Sequence, residues 1–315
     1  MTLLDSIADV SDEAYDLGPV PTRIEVSSST VAQLVHRQFP HWAELPIRSV
    51  ATPGWDNRTF HLGDDLLVRL PSAAEYALAV QKEHRWLPVI APRVPLPIPE
   101  PVALGAPDDS YPHPWSIYRW LPGEPADRSP IADLDDFATS LADFLGALQA
   151  IDADDGPGPG VHNWFRGGPL TTYAAQVEED VKTLTPEIPV GTVAEIWQHA
   201  LDAPWSGQPV WFHGDVAVGN LLVDDGRLAA VIDFGTCGVG DPACDLAIAW
   251  TLLDSDSRTT FRDRLEVDGA TWSRGRGWAL WKALSGSAGA TRSGDPRPVD
   301  SDRVLAEIID DWNRQ

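Results

Sequence analysis

Three polar residues at fixed spacing constrain this chain more than any other feature. Asp215 closes the triplet His213-Gly214-Asp215. Asn220 stands five residues further on, and Asp233 follows in Ile232-Asp233-Phe234-Gly235. Between Asn220 and Asp233 lie two short apolar runs, 221–224 and 228–232, around the turn Asp224-Asp225-Gly226. Such runs flanking an Asp-Gly pair predict a β-hairpin. A hairpin returns the chain on itself, so it brings the residues before it and after it together. Any fold for this sequence must present Asp215, Asn220 and Asp233 at one end of that hairpin.

The surrounding pattern divides the chain. Residues 1–28 are acidic and then Ser-rich and read as a loose lead-in. Helical spacing follows at 30–39, then strand candidates at 47–52, 58–62 and 65–70, with Gly63-Asp64-Asp65 turning between the last two. Residues 73–90 again have helical spacing. Pro92, Pro95, Pro97, Pro99 and Pro101 exclude a helix and predict a stiff extended connector. Residues 115–121 read as an aromatic and β-branched strand, which Pro122-Gly123 ends. Beyond it, 133–151 predicts a long amphipathic helix, 153–170 a Gly/Pro/Asp-rich loop, and 172–203 helix broken near Pro186 and Pro189. Strands are expected at 209–212, 221–224 and 228–232, and mainly helix after 243. A sheet-rich first third followed by helices predicts two lobes, 1–121 and 122–315.

The three residues suit phosphoryl transfer. A carboxylate such as Asp215 can orient a hydroxyl and take its proton late. An amide oxygen and a second carboxylate, Asn220 and Asp233, are hard oxygen ligands for Mg2+, which neutralises phosphate charge. The pattern H-G-D-x4-N followed by D-F-G resembles the protein-kinase catalytic set. Gly214, where protein kinases carry Arg, resembles the form in the aminoglycoside phosphotransferase family and its relatives, including choline and homoserine kinases. Gly240-Asp241-Pro242-Ala243-Cys244-Asp245-Leu246-Ala247 looks like the segment that follows the metal-binding Asp in that family. Gly54 to Pro71 looks like its nucleotide-covering hairpin and third strand. The likeness runs from about residue 48 to the last helices.

This resemblance implies an α+β, bilobal, protein-kinase-like fold, with an N-terminal antiparallel sheet lobe and a larger, mainly helical C-terminal lobe. It implies an enzyme using ATP or GTP with Mg2+ to phosphorylate a hydroxyl of a small, aminoglycoside-like molecule. Asp215 would be the catalytic residue, Asn220 and Asp233 the metal ligands. Gly54, Asn57 and Arg69 would meet the nucleotide, with Glu83 bracing Arg69 and Glu75 as the competing brace. Arg119, Trp120 and Leu121 align with the hinge that meets the purine through backbone groups. His213 would brace the loop by hydrogen bonds. Asp241 and Asp245 would be architectural, with Asp245 at a helix N-cap. The same fold also serves kinases of choline, homoserine or sugars, and inactivators of macrolides or peptide antibiotics. The Arg at 69 in place of Lys, and the sparse glycine loop, leave room for a nucleotide-binding pseudokinase.

Charge bears on the partner. The chain carries a net −24, of which residues 121–315 hold −18. Such a field repels nucleic acid and anionic membranes. A cationic substrate would account for the acidic second lobe, where Glu178-Glu179-Asp180, Asp254, Asp256 and Asp310-Asp311 are candidates; so would general solvation, since Arg outnumbers Lys 20 to 3. Trp164, Trp250, Trp272, Trp278 and Trp281 are each candidates either to pack in the core or to stack on a sugar or a cation. Two cysteines make no disulfide framework, and the acidic N-terminus does not read as an export signal. A reducing cytoplasm is the expected compartment.

Overall fold

The computed structural model describes residues 20–50, 54–293 and 299–314. Most of the expected lead-in, residues 1–19, and the end of the first strand candidate, 51–52, lie outside the described residues. Helix α1 (Ser28–Gln38) opens on Ser27, whose hydroxyl accepts from the Thr30 amide, and it buries Val31, Leu34 and Val35. Strands β1 (Ile47–Ser49), β2 (Asn57–Leu62) and β3 (Leu66–Pro71) follow, then α2 (Ala74–Ile90), β4 (Pro101–Gly105) and β5 (Trp115–Arg119). The five strands form one antiparallel sheet in the order β1-β2-β3-β5-β4.

Strand periodicity decides what each face of that sheet does. Leu66, Val68 and Leu70 of β3 pack with α1 in a small core of their own. Alternate residues point to the opposite face, where Leu67 joins the large core. Arg69 therefore faces the rest of the molecule rather than the α1 layer. The proline-rich stretch forms a short 3-10 turn at Ala91–Arg93 and then runs extended, as its prolines require. It ends in β4, a strand the sequence reading passed over. Pro101 is tolerated there because it is the first residue of an edge strand.

Pro122-Gly123 follows the last strand of this sheet, β5. Gly123 has φ +119°, and a Cβ there would sit 3.1 Å from the Leu222 side chain and 3.2 Å from the Val223 carbonyl. No other residue fits that turn without strain. The next residues, β6 (Glu124–Pro125), already pair with a strand of the second lobe. Helices α3 (Leu134–Gln149), α4 (Ala174–Leu184) and α5 (Val190–Leu201) come next, then β7 (Val210–Phe212), the hairpin strands β8 (Leu221–Asp224) and β9 (Arg227–Val231), and β10 (Gly238–Gly240). The hairpin turn is Asp225-Gly226, both at positive φ, as a two-residue hairpin of this hand demands. Helices α6 (Ile248–Thr251), α7 (Ser255–Arg264), α8 (Gly269–Ser293) and α9 (Val299–Asn313) complete the lobe. No described helix is long and apolar enough to cross a membrane.

Helix α9 is held by charge as well as by Val304, Leu305 and Ile308. Trp250 Nε1 and Arg276 Nη2 both donate to Asp311 Oδ2 at 3.1 Å. Arg258 reaches Glu307 Oε1 at 2.6 Å and Asp311 Oδ1 at 3.3 Å. Arg258 and Arg276 are almost fully buried, so removing one partner strands a buried charge.

Candidate active site

The loop after β7 is fastened from beneath. Asp245 is fully buried and accepts two backbone amides: His213 N–H at 2.8 Å and Gly214 N–H at 2.6 Å. Burial pushes its carboxyl up, against the charge-favouring pull of His213 and those two amides. Asp245 lies inside the 3-10 helix Pro242–Ala247 rather than at its start. The cap is Asp241, whose Oδ1 accepts the Ala243 amide. Asp241 also takes a two-pronged contact from Arg274, at 2.7 and 3.1 Å. The pattern placed an Asp at a helix N-cap but assigned it four residues late.

His213 braces the loop through its ring. Nε2 lies 3.0 Å from the Ile232 carbonyl, and Nδ1 accepts the Asp215 amide at 3.2 Å. That pairing requires the ring proton on Nε2. The ring also meets Phe234 edge-on. Gly214 sits between them at φ +88°, where a Cβ would come within 2.6 Å of the Thr236 carbonyl oxygen. This crowding accounts for glycine, rather than arginine, in the triplet.

The hairpin brings the three polar residues together. Asn220 Nδ2 donates to the Asp215 carbonyl at 2.9 Å and to Asp215 Oδ2 at 3.2 Å. The Asn220 carbonyl accepts the Ile232 amide at 2.9 Å, next to Asp233. Asp233 adopts a left-handed conformation, φ 66°. Its Oδ1 accepts Arg69 Nη2 at 2.6 Å, which joins the two lobes. Arg69 Nη1 also lies 3.5 Å from Glu83 Oε1, and Glu83 Oε2 accepts the Tyr118 hydroxyl at 2.9 Å. Burial works against the Arg69 charge, but Asp233 and Glu83 outweigh it and hold the guanidinium above its ordinary range. The brace is thus Glu83; Glu75 instead lines the mouth of the small cavity below. Lys82 is buried too: its Nζ donates to the Gly235 and Cys237 carbonyls at 2.8 and 2.9 Å and contacts His162. It ties α2 to the segment after Asp233.

Several partners of this site carry no signal in the sequence. Lys282, from α8, lies 2.5 Å from Asp215 Oδ1. Burial works to raise the Asp215 carboxyl, yet Lys282, Arg166 and His213 overcome it and hold it at about 2. Arg166 stacks within 4.5 to 5.2 Å of the Tyr173, Trp278 and Trp281 rings. Asp56, just ahead of β2, faces Asp233 and Asp215. Burial and those two charges push it up to about 7, against Arg69 and Arg166. A cavity of only about 20 Å3 separates the 56–57 segment from Asp233 and α2.

Other expected positions fall differently. The Arg119 amide is bonded to the Glu100 carbonyl and the Trp120 amide to the Asp65 carbonyl. The Arg119 side chain pairs with Glu100, and Trp120 rests against His61. Those two amides are committed to the sheet, so of the three residues expected at a hinge only Leu121 keeps an amide outside these bonds. Asn57 lines the small cavity. At Gly54 a Cβ would make only ordinary contact, 3.6 Å from the Asn57 carbonyl, so the fold itself does not require glycine there. Several of the acidic candidates are engaged within the protein: Glu178 pairs with Lys182, Asp180 with Arg292, Asp254 caps α7, and Asp311 holds α9. The cations stacked on Trp250, Trp272, Trp278 and Trp281 are this chain's own arginines. Trp164 instead lines the small cavity beside Tyr76.

A second cleft, of about 410 Å3, is lined by Lys282 and by Val216, which follows Asp215 in the chain. Its walls come from Ala126, 216–218, Leu252, Ala283 and Val304, with Asp127, Asp300, Lys282 and Arg303 as its charged groups. Two acids and two bases leave its lining formally neutral, in a protein of net charge −24.

The chain is similar to several known proteins. An aminoglycoside 3'-phosphotransferase of Escherichia coli is 31% identical over 125 residues, 36% of this chain and 42% of that protein. One of Salmonella typhimurium is 41% identical over 63 residues, 19% of this chain and 23% of that one. The chain thus spans about two fifths or less of the length of these curated relatives. A GDP complex of an aminoglycoside 2'-phosphotransferase-IIIa shares the fold, with a TM-score of 0.68 at 18% identity, covering 91% of this chain and all of that one. A macrolide 2'-phosphotransferase of Brachybacterium faecium aligns with a TM-score of 0.56 at 22% identity, covering 89% and 97%. Residues 48–278 match the model of the phosphotransferase enzyme family. With its loop, hairpin and Arg69–Asp233 contact inside that span, the chain belongs to the phosphotransferase enzyme family.

Proposed function

We propose that the chain transfers the γ-phosphoryl group of ATP or GTP to a hydroxyl of a small molecule, with an aminoglycoside-like antibiotic as the first class to test. The observation that carries this reading is the convergence of Asp215, Asn220, Asp233 and Arg69 at one end of the β8–β9 hairpin, within a family of phosphotransferases. In the reaction, a bond forms between the acceptor oxygen and the γ-phosphorus. The bond from that phosphorus to the β-phosphate oxygen breaks, and ADP or GDP leaves. The acceptor proton passes to Asp215 and then to solvent. A carboxyl held at about 2 cannot remove a proton from a free hydroxyl. Asp215 instead orients the hydroxyl and accepts its proton once bonding to phosphorus has begun.

Asn220 and Asp233 fit Mg2+. Asn220 uses its Nδ2 toward Asp215, and Asp233 uses Oδ1 toward Arg69, so Asn220 Oδ1 and Asp233 Oδ2 are hard oxygens left for a cation. Among the described residues no cluster of three His, Cys, Asp or Glu could hold a metal alone. That suits an ion completed by phosphate oxygens. Bound there, Mg2+ would neutralise the phosphates. Arg69 would exchange Asp233 for phosphate oxygens while Glu83 keeps it in place. The 56–57 segment would lift, since about 20 Å3 holds a water rather than a triphosphate. Residues 1–121 would be the nucleotide-covering lobe, with Leu121 at the purine, and 122–315 the catalytic lobe. Cys237 and Cys244 are free and buried, in keeping with a reducing cytoplasm.

A second reading has its own support. The neutral, largely apolar cleft beside Asp215 favours an acceptor of lower charge than an aminoglycoside, such as a macrolide. A coupled assay of ADP release against cationic sugars, macrolides and small metabolites decides between them. Calorimetry with Mg–ATP and Mg–GTP tests the common premise, which fails if neither nucleotide binds. Arg69→Ala is expected to raise the nucleotide KM by about 10- to 100-fold, the loss of one charge-assisted contact. An unchanged nucleotide KM would remove Arg69 from the phosphate site.

A further inference from the structure

Lys282 has no counterpart in the motif that identifies the site, yet it makes the shortest ion pair there. Its Nζ lies 2.5 Å from Asp215 Oδ1, while Asn220 Nδ2 reaches Oδ2 from the other side at 3.2 Å. The carboxylate is therefore held at both oxygens by two different elements. The lysine is itself referenced to the loop it serves. Eight residues before it on α8, Arg274 grips Asp241, which follows β10, at 2.7 and 3.1 Å. β10 in turn pairs with β7, from which the loop springs. The Lys282 side chain is 23% exposed and that of Asp215 38%, so water reaches the pair and weakens its contribution to stability. Lys282 also reaches the 410 Å3 cleft where an acceptor would lie.

We propose that Lys282 is a positioning residue for phosphoryl transfer: it locks the Asp215 carboxylate through Oδ1 so that its remaining lone pairs meet the acceptor hydroxyl. A carboxylate has about four acceptor sites, so Lys282 and Asn220 leave room for that bond. Losing the lock lets the carboxylate rotate, and small misplacements of a reacting group cost about 100-fold in rate. The proposal rests on the phosphotransferase reading above.

The test measures ADP release from Mg–ATP by the full chain, with the acceptor giving the fastest release in the panel, or with water where none does. Lys282→Met is expected to lower kcat by about 30- to 100-fold, with the KM for ATP within about two-fold and the melting temperature unchanged. Lys282→Arg, which keeps the charge, recovers at least about five-fold of that loss. In an Asp215→Asn background, Lys282→Met costs less than about three-fold, because the lysine acts through Asp215. A Met variant within about three-fold of wild-type kcat overturns the proposal. So does an equally large loss in the Asp215→Asn background. Wild-type protein that neither binds Mg–ATP nor releases ADP sinks the phosphotransferase reading, and this proposal with it.

Discussion

Asp215→Ala is expected to lower turnover by about 10²- to 10⁴-fold while nucleotide binding stays within about three-fold of wild type. The separation follows from where Asp215 sits. Its contacts are Lys282 and Asn220, whereas the proposed nucleotide contact Arg69 is held by Asp233 and Glu83. Removing the carboxylate takes away the group that orients the hydroxyl and leaves Lys282 facing the acceptor uncompensated. Both effects fall on the chemical step. ADP-release kinetics give the first quantity and calorimetry the second. Turnover near the wild-type value would mean that another group takes the proton.

Asp245→Ala is expected to destabilise the protein by about 3 kcal/mol and to slow turnover as well. Asp245 touches no proposed ligand; its two oxygens hold the amides of His213 and Gly214. Hydrogen bonds to a charged group contribute about 1.5–3 kcal/mol each. Burying the carboxylate opposes folding, as its raised carboxyl shows, so the net loss lies at the low end of that sum. For a chain of this size the melting temperature should fall by roughly 5 °C. The freed amides also release the backbone that aims Asp215, so kcat should drop by at least about ten-fold. A variant that melts lower but keeps full kcat would show that Asp245 supports the fold without holding the loop.

The parts legible in the sequence were those written in local patterns. The hairpin 221–231 was visible because Asp225-Gly226 can take two left-handed conformations in succession. Most of the larger helices were visible from their apolar spacing, and the Arg69–Glu83 contact was one of the two pairings that the resemblance implied. What stayed hidden depends on chain segments meeting at long range. Lys282 lies 67 residues from Asp215, and Arg69 lies 164 residues from Asp233. Spacing along a helix says nothing of which distant carboxylate a lysine will meet. Asp56 carried no signal in the sequence because its raised carboxyl arises from burial against Asp233 and Asp215. The roles of the acidic and aromatic residues of the second lobe stayed open for the same reason. A carboxylate or an indole looks the same in sequence whether it awaits a ligand or holds an internal arginine, and internal arginines took Asp180, Asp311 and four of the five tryptophans.

The placement of α9 separates two kinds of evolutionary freedom. Asp300, Ser301, Arg303 and Val304, near its start, form one wall of the cleft beside Asp215. Its far end is pinned through Glu307 and Asp311 to Arg258, Arg276 and Trp250. The groups proposed to handle phosphate all lie elsewhere, on β3, α2 and the β7–β10 segment. A lineage can therefore rewrite one wall of the cleft by substitutions along the first turns of a single helix. The anchor keeps that helix seated, and the transfer chemistry stays untouched. On the phosphotransferase reading proposed above, substitutions along that wall would alter acceptor range and leave the phosphate-handling groups in place.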